Sequence, residues 1–114
     1  MTKKELKEQY AQMKFPMGVF QIRNKINGKI FVDGHSNLDA IWNRHRTQLK
    51  FGSHRNSELQ KDWNEFGEEN FIYEILSEIN QEDDNLDFAK ELKTLTEMYV
   101  EELQPFGVRG YNKK

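Results

Sequence analysis

The stretch MGVFQIRNKINGKIFVDGHSNLDAIWNRH, residues 17–45, decides the fold. Two β-rich runs, GVFQIR and KIFVD, flank the segment NKING. Asn27-Gly28 predicts a hairpin, because a tight two-residue turn needs positive φ at both central positions. With that turn, Phe31 stands opposite Asn24. Alternation then puts Phe20, Ile22 and Asn24 on one sheet face with Phe31 and Asp33, with Phe20 and Phe31 separated along it. The next segment, SNLDAIWNRHRTQLKFG, reads as a helix. Ser36 and Asp39 fit a capping box, and Gly52 is a stop. Leu38, Trp42, His45 and Leu49 form an apolar stripe at helical spacing, with Ile41, Arg44, His45 and Gln48 beside it.

Outward from this stretch, the periodicity changes three more times. NSELQKDWNEFG predicts a second helix, with Ser57 and Gln60 as its capping box. Its inward residues are Leu59, Trp63 and Phe66, and Gly67 ends it. NFIYEILSEI predicts a third strand, with Phe71, Tyr73 and Ile75 alternating against Ile72, Glu74 and Leu76. INQEDDN is an acidic loop. LDFAKELKTLTEMYVEEL is a long last helix with Leu92, Leu95, Tyr99 and Leu103 in register, and Pro105 follows it. In the tail FGVRGYNKK, Tyr111 is expected to tuck back. Upstream, TKKELKEQYAQMK predicts an exposed helix capped at Thr2 and Glu5. The order α-ββ-α-α-β-α implies an α+β domain, with a small three-stranded antiparallel sheet flanked by helices. Residues 1–16 read as a helical extension and 17–114 as the domain.

Composition narrows the possible functions. The 114 residues suit one domain, and eight Phe, four Tyr and two Trp can build a core despite 32% charged residues. With no cysteine, disulfides, thiolate metal sites and a cysteine nucleophile are excluded. His35, His45 and His54 show no diagnostic zinc spacing. The N-terminal segment lacks an apolar signal-peptide core, and no apolar run is long enough to span a membrane, so a cytoplasmic protein is expected. The net charge of −2 hides an asymmetry. Residues 14–55 carry a net +6, and residues 58–102 a net −12. The basic half could face a polyanion, and the acidic half a basic protein partner.

The order and spacing of these elements resemble the GIY-YIG nuclease superfamily. The tripeptides read Gly18-Val19-Phe20 and Phe31-Val32-Asp33, followed by the helix with WNRHR. LQKDWNEFGEENFIYEIL and the final Gly110-Tyr111-Asn112 extend the likeness. The resemblance implies a site for phosphodiester hydrolysis. A tyrosine helps activate water, an arginine stabilises phosphate charge, and a glutamate binds one divalent metal, Mg²⁺ or Mn²⁺.

Carried over residue by residue, the resemblance meets replacements. The two tyrosines fall on Phe20 and Phe31, which have no hydroxyl. The arginine falls on Ile41 and the glutamate on Thr96. His45, His54 and Asn112 are retained. Arg44 and Glu97 are possible substitutes, for the arginine and for the metal ligand, although one residue is about 100° around a helix. Arg23, Lys25, Lys29, Arg46, Lys50 and Arg55 could contact phosphates without chemistry. The expectation is a nucleic-acid-binding pseudo-nuclease, with DNA as the first partner to test. The alternatives are a metal-dependent endonuclease with displaced groups and a protein-interaction module using the acidic 58–102 region.

Overall fold

In the computed structural model, which describes residues 15–81 and 87–113, the hairpin strands are β1 (Gly18–Asn24) and β2 (Ile30–His35). Helices α1 (Leu38–Lys50) and α2 (Ser57–Phe66) follow, then a 3₁₀ turn, β3 (Phe71–Glu78), helix α3 (Phe88–Leu103) and a second 3₁₀ turn. The antiparallel sheet has the order β2-β1-β3, so the expected α+β class is the observed one. The helix expected on residues 2–14, and most of the acidic loop, lie outside the described residues.

The hairpin turn is longer than the Asn-Gly signal implied. Ile22, not Asn24, stands opposite Phe31, and Phe20 stands opposite Asp33. The Asn24 backbone N–H donates to the Lys29 carbonyl at 2.9 Å, closing a loop over residues 25–28. The cause is Asn24 itself. Its Oδ1 accepts from the Ile26 N–H, an Asx-type turn that starts the reversal early. Gly28, at φ 77°, supplies the left-handed residue that ends it. A register shift of two leaves every side chain on its predicted face. It also brings Phe20 and Phe31 into diagonal contact, with ring centroids 6.5 Å apart.

Both helix caps differ from expectation by one residue. Asn37 caps α1, its Oδ1 accepting from the Ala40 N–H, and Asn56 caps α2 by accepting from the Leu59 N–H. Ser36 and Ser57 were the expected caps, but each asparagine carries the acceptor at the boundary the structure uses. Gln60 is thereby freed from a capping box. It is buried and donates instead to the Leu49 carbonyl at 2.9 Å, locking the turn between the helices. Helix α1 ends with Gly52 at φ 72°, the Gly52 and Ser53 N–H groups donating to the Leu49 and Gln48 carbonyls.

The core lies between one sheet face and α1/α2. It is built from Phe20, Ile22, Phe31, Leu38, Ile41, Leu49, Leu59, Trp63, Phe71 and Tyr111, with Trp42, Phe66 and Tyr73 packed against it. Each such side chain contributes roughly 1.5–3 kcal/mol on burial. The alternation predicted for β3 breaks at Ile75, which is 44% exposed. A bulge is responsible. Val19 pairs with Ser77 and Phe20 with Ile75, leaving Leu76 unopposed. Helix α3 covers the other sheet face, where a side chain on Gly34 would collide with Thr96 Oγ1. No helix among the described residues is long and apolar enough to cross a membrane.

Candidate functional site

His45 lies on the inward stripe of α1 and His54 in the turn after it, and the fold brings their rings together. His45 Nδ1 and His54 Nε2 are 2.7 Å apart, with both residues buried. The protons on this pair can be assigned from the network. His54 Nδ1 accepts from the Asn56 N–H at 3.0 Å, so the His54 proton sits on Nε2 and is donated to His45 Nδ1. The remaining His45 proton must therefore be on Nε2. That atom is buried and has no hydrogen-bond partner among the described residues. Phe20, Phe31 and His54 crowd the His45 ring, with centroids 5.7, 5.5 and 5.0 Å away. Burial pushes the His45 pKa down to about 4, with His54, Arg55 and Arg44 acting in the same direction. Burial lowers His54 as well, and the Arg55 charge adds to it. The pair is neutral at physiological pH and ends in one unused donor.

That donor's residue lines a cleft of about 180 Å³ with Asp33, His35, Ile41, Arg44, Gln48, Ser53 and Arg55. A second concavity, of about 340 Å³, shares Asp33 and Arg55 and continues past Phe31, Val32 and Asn56 to Asn112 and Lys113. Among the described residues, neither Arg44 nor Arg55 is in an ion pair. The other expected phosphate contacts divide differently. Arg23 is held by Glu74 at 2.7 Å, whose carboxyl pKa is lowered by that hydrogen bond. Arg46 and Lys50 both reach Glu68, at 3.3 and 3.6 Å. Lys29 Nζ lies 5.5 Å from the centroid of the Tyr111 ring, and Lys25 is exposed in the hairpin loop. Arg44 and Arg55 are thus the basic residues of this cleft, and both lie outside the ion pairs of the described residues.

Three comparisons bear on this arrangement. No family model matches the chain. A solved structure of the catalytic domain of the homing endonuclease I-TevI matches with a TM-score of 0.70 and 30% identity, over 86% of this chain and 98% of that one. The chain belongs to the GIY-YIG nuclease superfamily. A variant of the same catalytic domain matches with a TM-score of 0.72 and 28% identity, over 86% of this chain and 93% of that one. Intron-associated endonuclease 1 of Enterobacteria phage T4 is 36% identical over 67 residues, 59% of this chain. The chain's match spans 27% of that relative's length.

The remaining residues fall into place within this GIY-YIG domain. Phe20 is fully buried and Phe31 nearly so, and Ile41 is buried at the cleft wall. Asn112 closes the free edge of β2. Its Oδ1 accepts from the Val32 N–H and its Nδ2 donates to the Val32 carbonyl, each at 2.8 Å. The Tyr111 N–H adds a bond to the Ile30 carbonyl. The tail thereby covers an edge that would otherwise expose unpaired backbone groups.

GIY-YIG endonucleases are generally dependent on a divalent metal. The donor set of this cleft does not fit such an ion. Mg²⁺ and Mn²⁺ take oxygen ligands, and Asp33 is the one carboxylate among the residues lining either concavity. The Thr96 hydroxyl donates to the Leu92 carbonyl of its own helix at 2.7 Å. Glu97 lines a different groove, with Val100, Glu101, Gln104 and Phe106. Among the described residues, no group of three or more His, Asp or Glu is placed to hold a metal.

Sequence reading missed Asn56, Gln60, His35, Ser53 and Lys113 as parts of the site. Asn56 and Gln60 had a local signal, since a buried polar residue beside a helix start implies a partner. The others are brought to the cleft only by the packing of α1 and the tail against β2.

Proposed function

We propose that this GIY-YIG domain binds DNA through its phosphates and has lost the hydrolysis reaction. The observation that carries the reading is the unpartnered, buried Nε2–H of His45, a residue that lines a cleft together with the unpaired Arg44 and Arg55. A buried donor without a partner costs about 1–3 kcal/mol, and a phosphate oxygen would satisfy it. Two guanidiniums beside it supply charge and bidentate geometry. Phe20 is fully buried, Phe31 lines the adjoining concavity and Ile41 lines this cleft, at the positions where the family's reaction requires phenols and a cation. A neutral histidine pair can bind or orient an oxyanion, but it holds no residual charge to stabilise a transition state. Asn112 and Lys113 extend the cleft along the tail, and Arg23, Arg46 and Lys50 are held as structural ion pairs. Residues 17–114 form the binding domain, 1–16 an extension to it, and the setting is the cytoplasm.

The test is a joint cleavage and retention assay. Supercoiled, linear and branched DNA, and RNA, are incubated with the protein in Mg²⁺ and in Mn²⁺, with an EDTA control and a His54→Ala variant. The reading expects no cleavage, with retention of DNA that weakens steeply with salt. Metal-dependent nicking that disappears in His54→Ala would overturn the loss of reaction. Absence of both cleavage and retention would overturn the DNA reading and turn the search to a protein partner for the acidic 58–102 surface.

A further inference from the structure

Phe51 is 81% exposed and is the one aromatic among the exposed large hydrophobics of the described residues. A single exposed apolar side chain carries no meaning by itself, but three observations converge here. First, the backbone that carries Phe51 is held in place. Its N–H donates to the Thr47 carbonyl, the next two N–H groups close the helix end, and Gln60 ties the Leu49 carbonyl from α2. Second, it continues the stripe that lines the cleft. Arg44, Gln48 and Phe51 are spaced i, i+4, i+7, and Phe51 keeps helical backbone angles. Phe51 therefore lies about 10 Å along the axis from Arg44 and only about 20° around it. Third, two polar residues near it in sequence belong to the cleft. Gln48 and Ser53 line the cleft, and Lys50 precedes it.

We infer that Phe51 is a stacking platform for an unpaired base of the DNA strand whose phosphate sits between Arg44 and Arg55. The inference rests on the DNA-binding reading above and names the substrate class as single-stranded or locally opened DNA. An exposed ring on an ordered helix end beside a phosphate site suits that class. Every base has a π-face, so stacking tolerates any sequence, whereas paired bases in a duplex are already stacked on one another. The turn is ordered before binding, so little conformational freedom is lost when a base docks.

The experiment measures fluorescence anisotropy with two labelled single-stranded DNAs of equal length, one normal and one abasic throughout. Wild-type protein is expected to bind the normal strand about tenfold more tightly than the abasic one. Phe51→Ala is expected to lose that advantage and to leave abasic binding unchanged. Phe51→Leu keeps apolar bulk without a ring and should behave like Phe51→Ala. Arg44→Ala should weaken both probes alike. Base-bearing DNA bound equally well by wild type and Phe51→Ala would overturn the stacking role, and with Arg44→Ala still weakening both probes the DNA reading would stand. Failure of wild-type protein to bind either probe would overturn both. A Phe51→Ala variant that changes only the oligomeric state, seen by size-exclusion chromatography, would assign the ring to self-association and overturn the proposal.

Discussion

Two polar clusters are sealed against the same aromatic core, and they are built to opposite specifications. At the hairpin end, Asn24 Nδ2 donates to the Tyr111 hydroxyl at 3.1 Å, and that hydroxyl donates to Asp62 at 2.6 Å. Asn56 Nδ2 reaches the Tyr111 carbonyl, and Asn24 Oδ1 holds the turn. Each of these polar groups has a partner. At the cleft end, the His45–His54 chain runs inward from the Asn56 N–H and stops at a buried N–H without one. A closed network stabilises and specifies a fold, whereas a partly satisfied one costs free energy. The closed cluster fastens the tail to the hairpin. The open one leaves the His45 Nε2–H without a partner among the described residues.

Substitutions can break or sharpen this contrast. Truncation of the closed cluster should have the largest effect. Tyr111→Ala should cost about 3–5 kcal/mol in urea unfolding, the range for deleting a buried ring. Tyr111→Phe should cost about 1–3 kcal/mol, because the ring stays and the Asn24 donor loses its acceptor. A Tyr111→Phe variant as stable as the parent would show that packing alone, not the network, secures the tail.

The open cluster should reveal itself through pH. The folded-state pKa of His45 lies below its unfolded value, so the unfolded chain binds more protons between pH 6.5 and about 4. Stability should therefore fall as pH drops through 6.5, and the loss should be complete near pH 4, at about 3 kcal/mol. His54, also lowered, adds a loss of the same sign. Urea titrations across this window should show the slope, and His45→Gln should flatten it. An unchanged slope in His45→Gln would mean that His45 is not the titrating element.

Smaller effects separate free from neutralised charge. Arg44→Ala and Arg55→Ala should each lower the salt slope of DNA retention by about 1 while leaving stability within about 0.5 kcal/mol. Arg23→Ala should leave that slope unchanged, since Glu74 already holds the guanidinium. The smallest change is expected for Glu68→Gln. It releases two exposed ion pairs and should alter stability by less than about 1 kcal/mol in a thermal melt.

Much of this molecule was legible from residue order. The strands, the three helices within the described residues and the inward set Phe20, Ile22, Phe31, Leu59 and Trp63 follow from periodicity, which is a local property of the chain. The replacements at 20, 31, 41 and 96 are what the resemblance implies, because a motif assigns positions one at a time. The hairpin turn was misjudged by two residues. Asn24, at the end of the first strand, began the reversal with its own side chain, and that competition is invisible to a turn dipeptide. The caps slipped by one residue for a similar reason, since Ser36-Asn37 and Asn56-Ser57 each offer two acceptors and backbone geometry selects between them.

Residue order alone carried the fold class and the facing of the strands. Only the tertiary structure decided which basic residues remain free, where Glu97 lies, and that His45 and His54 share a proton chain ending in an unused donor. The physical reason is range. Periodicity and capping act within a few residues, but an ion pair such as Arg46–Glu68, or the closure of β2 by Asn112, depends on groups the chain separates and the core brings together.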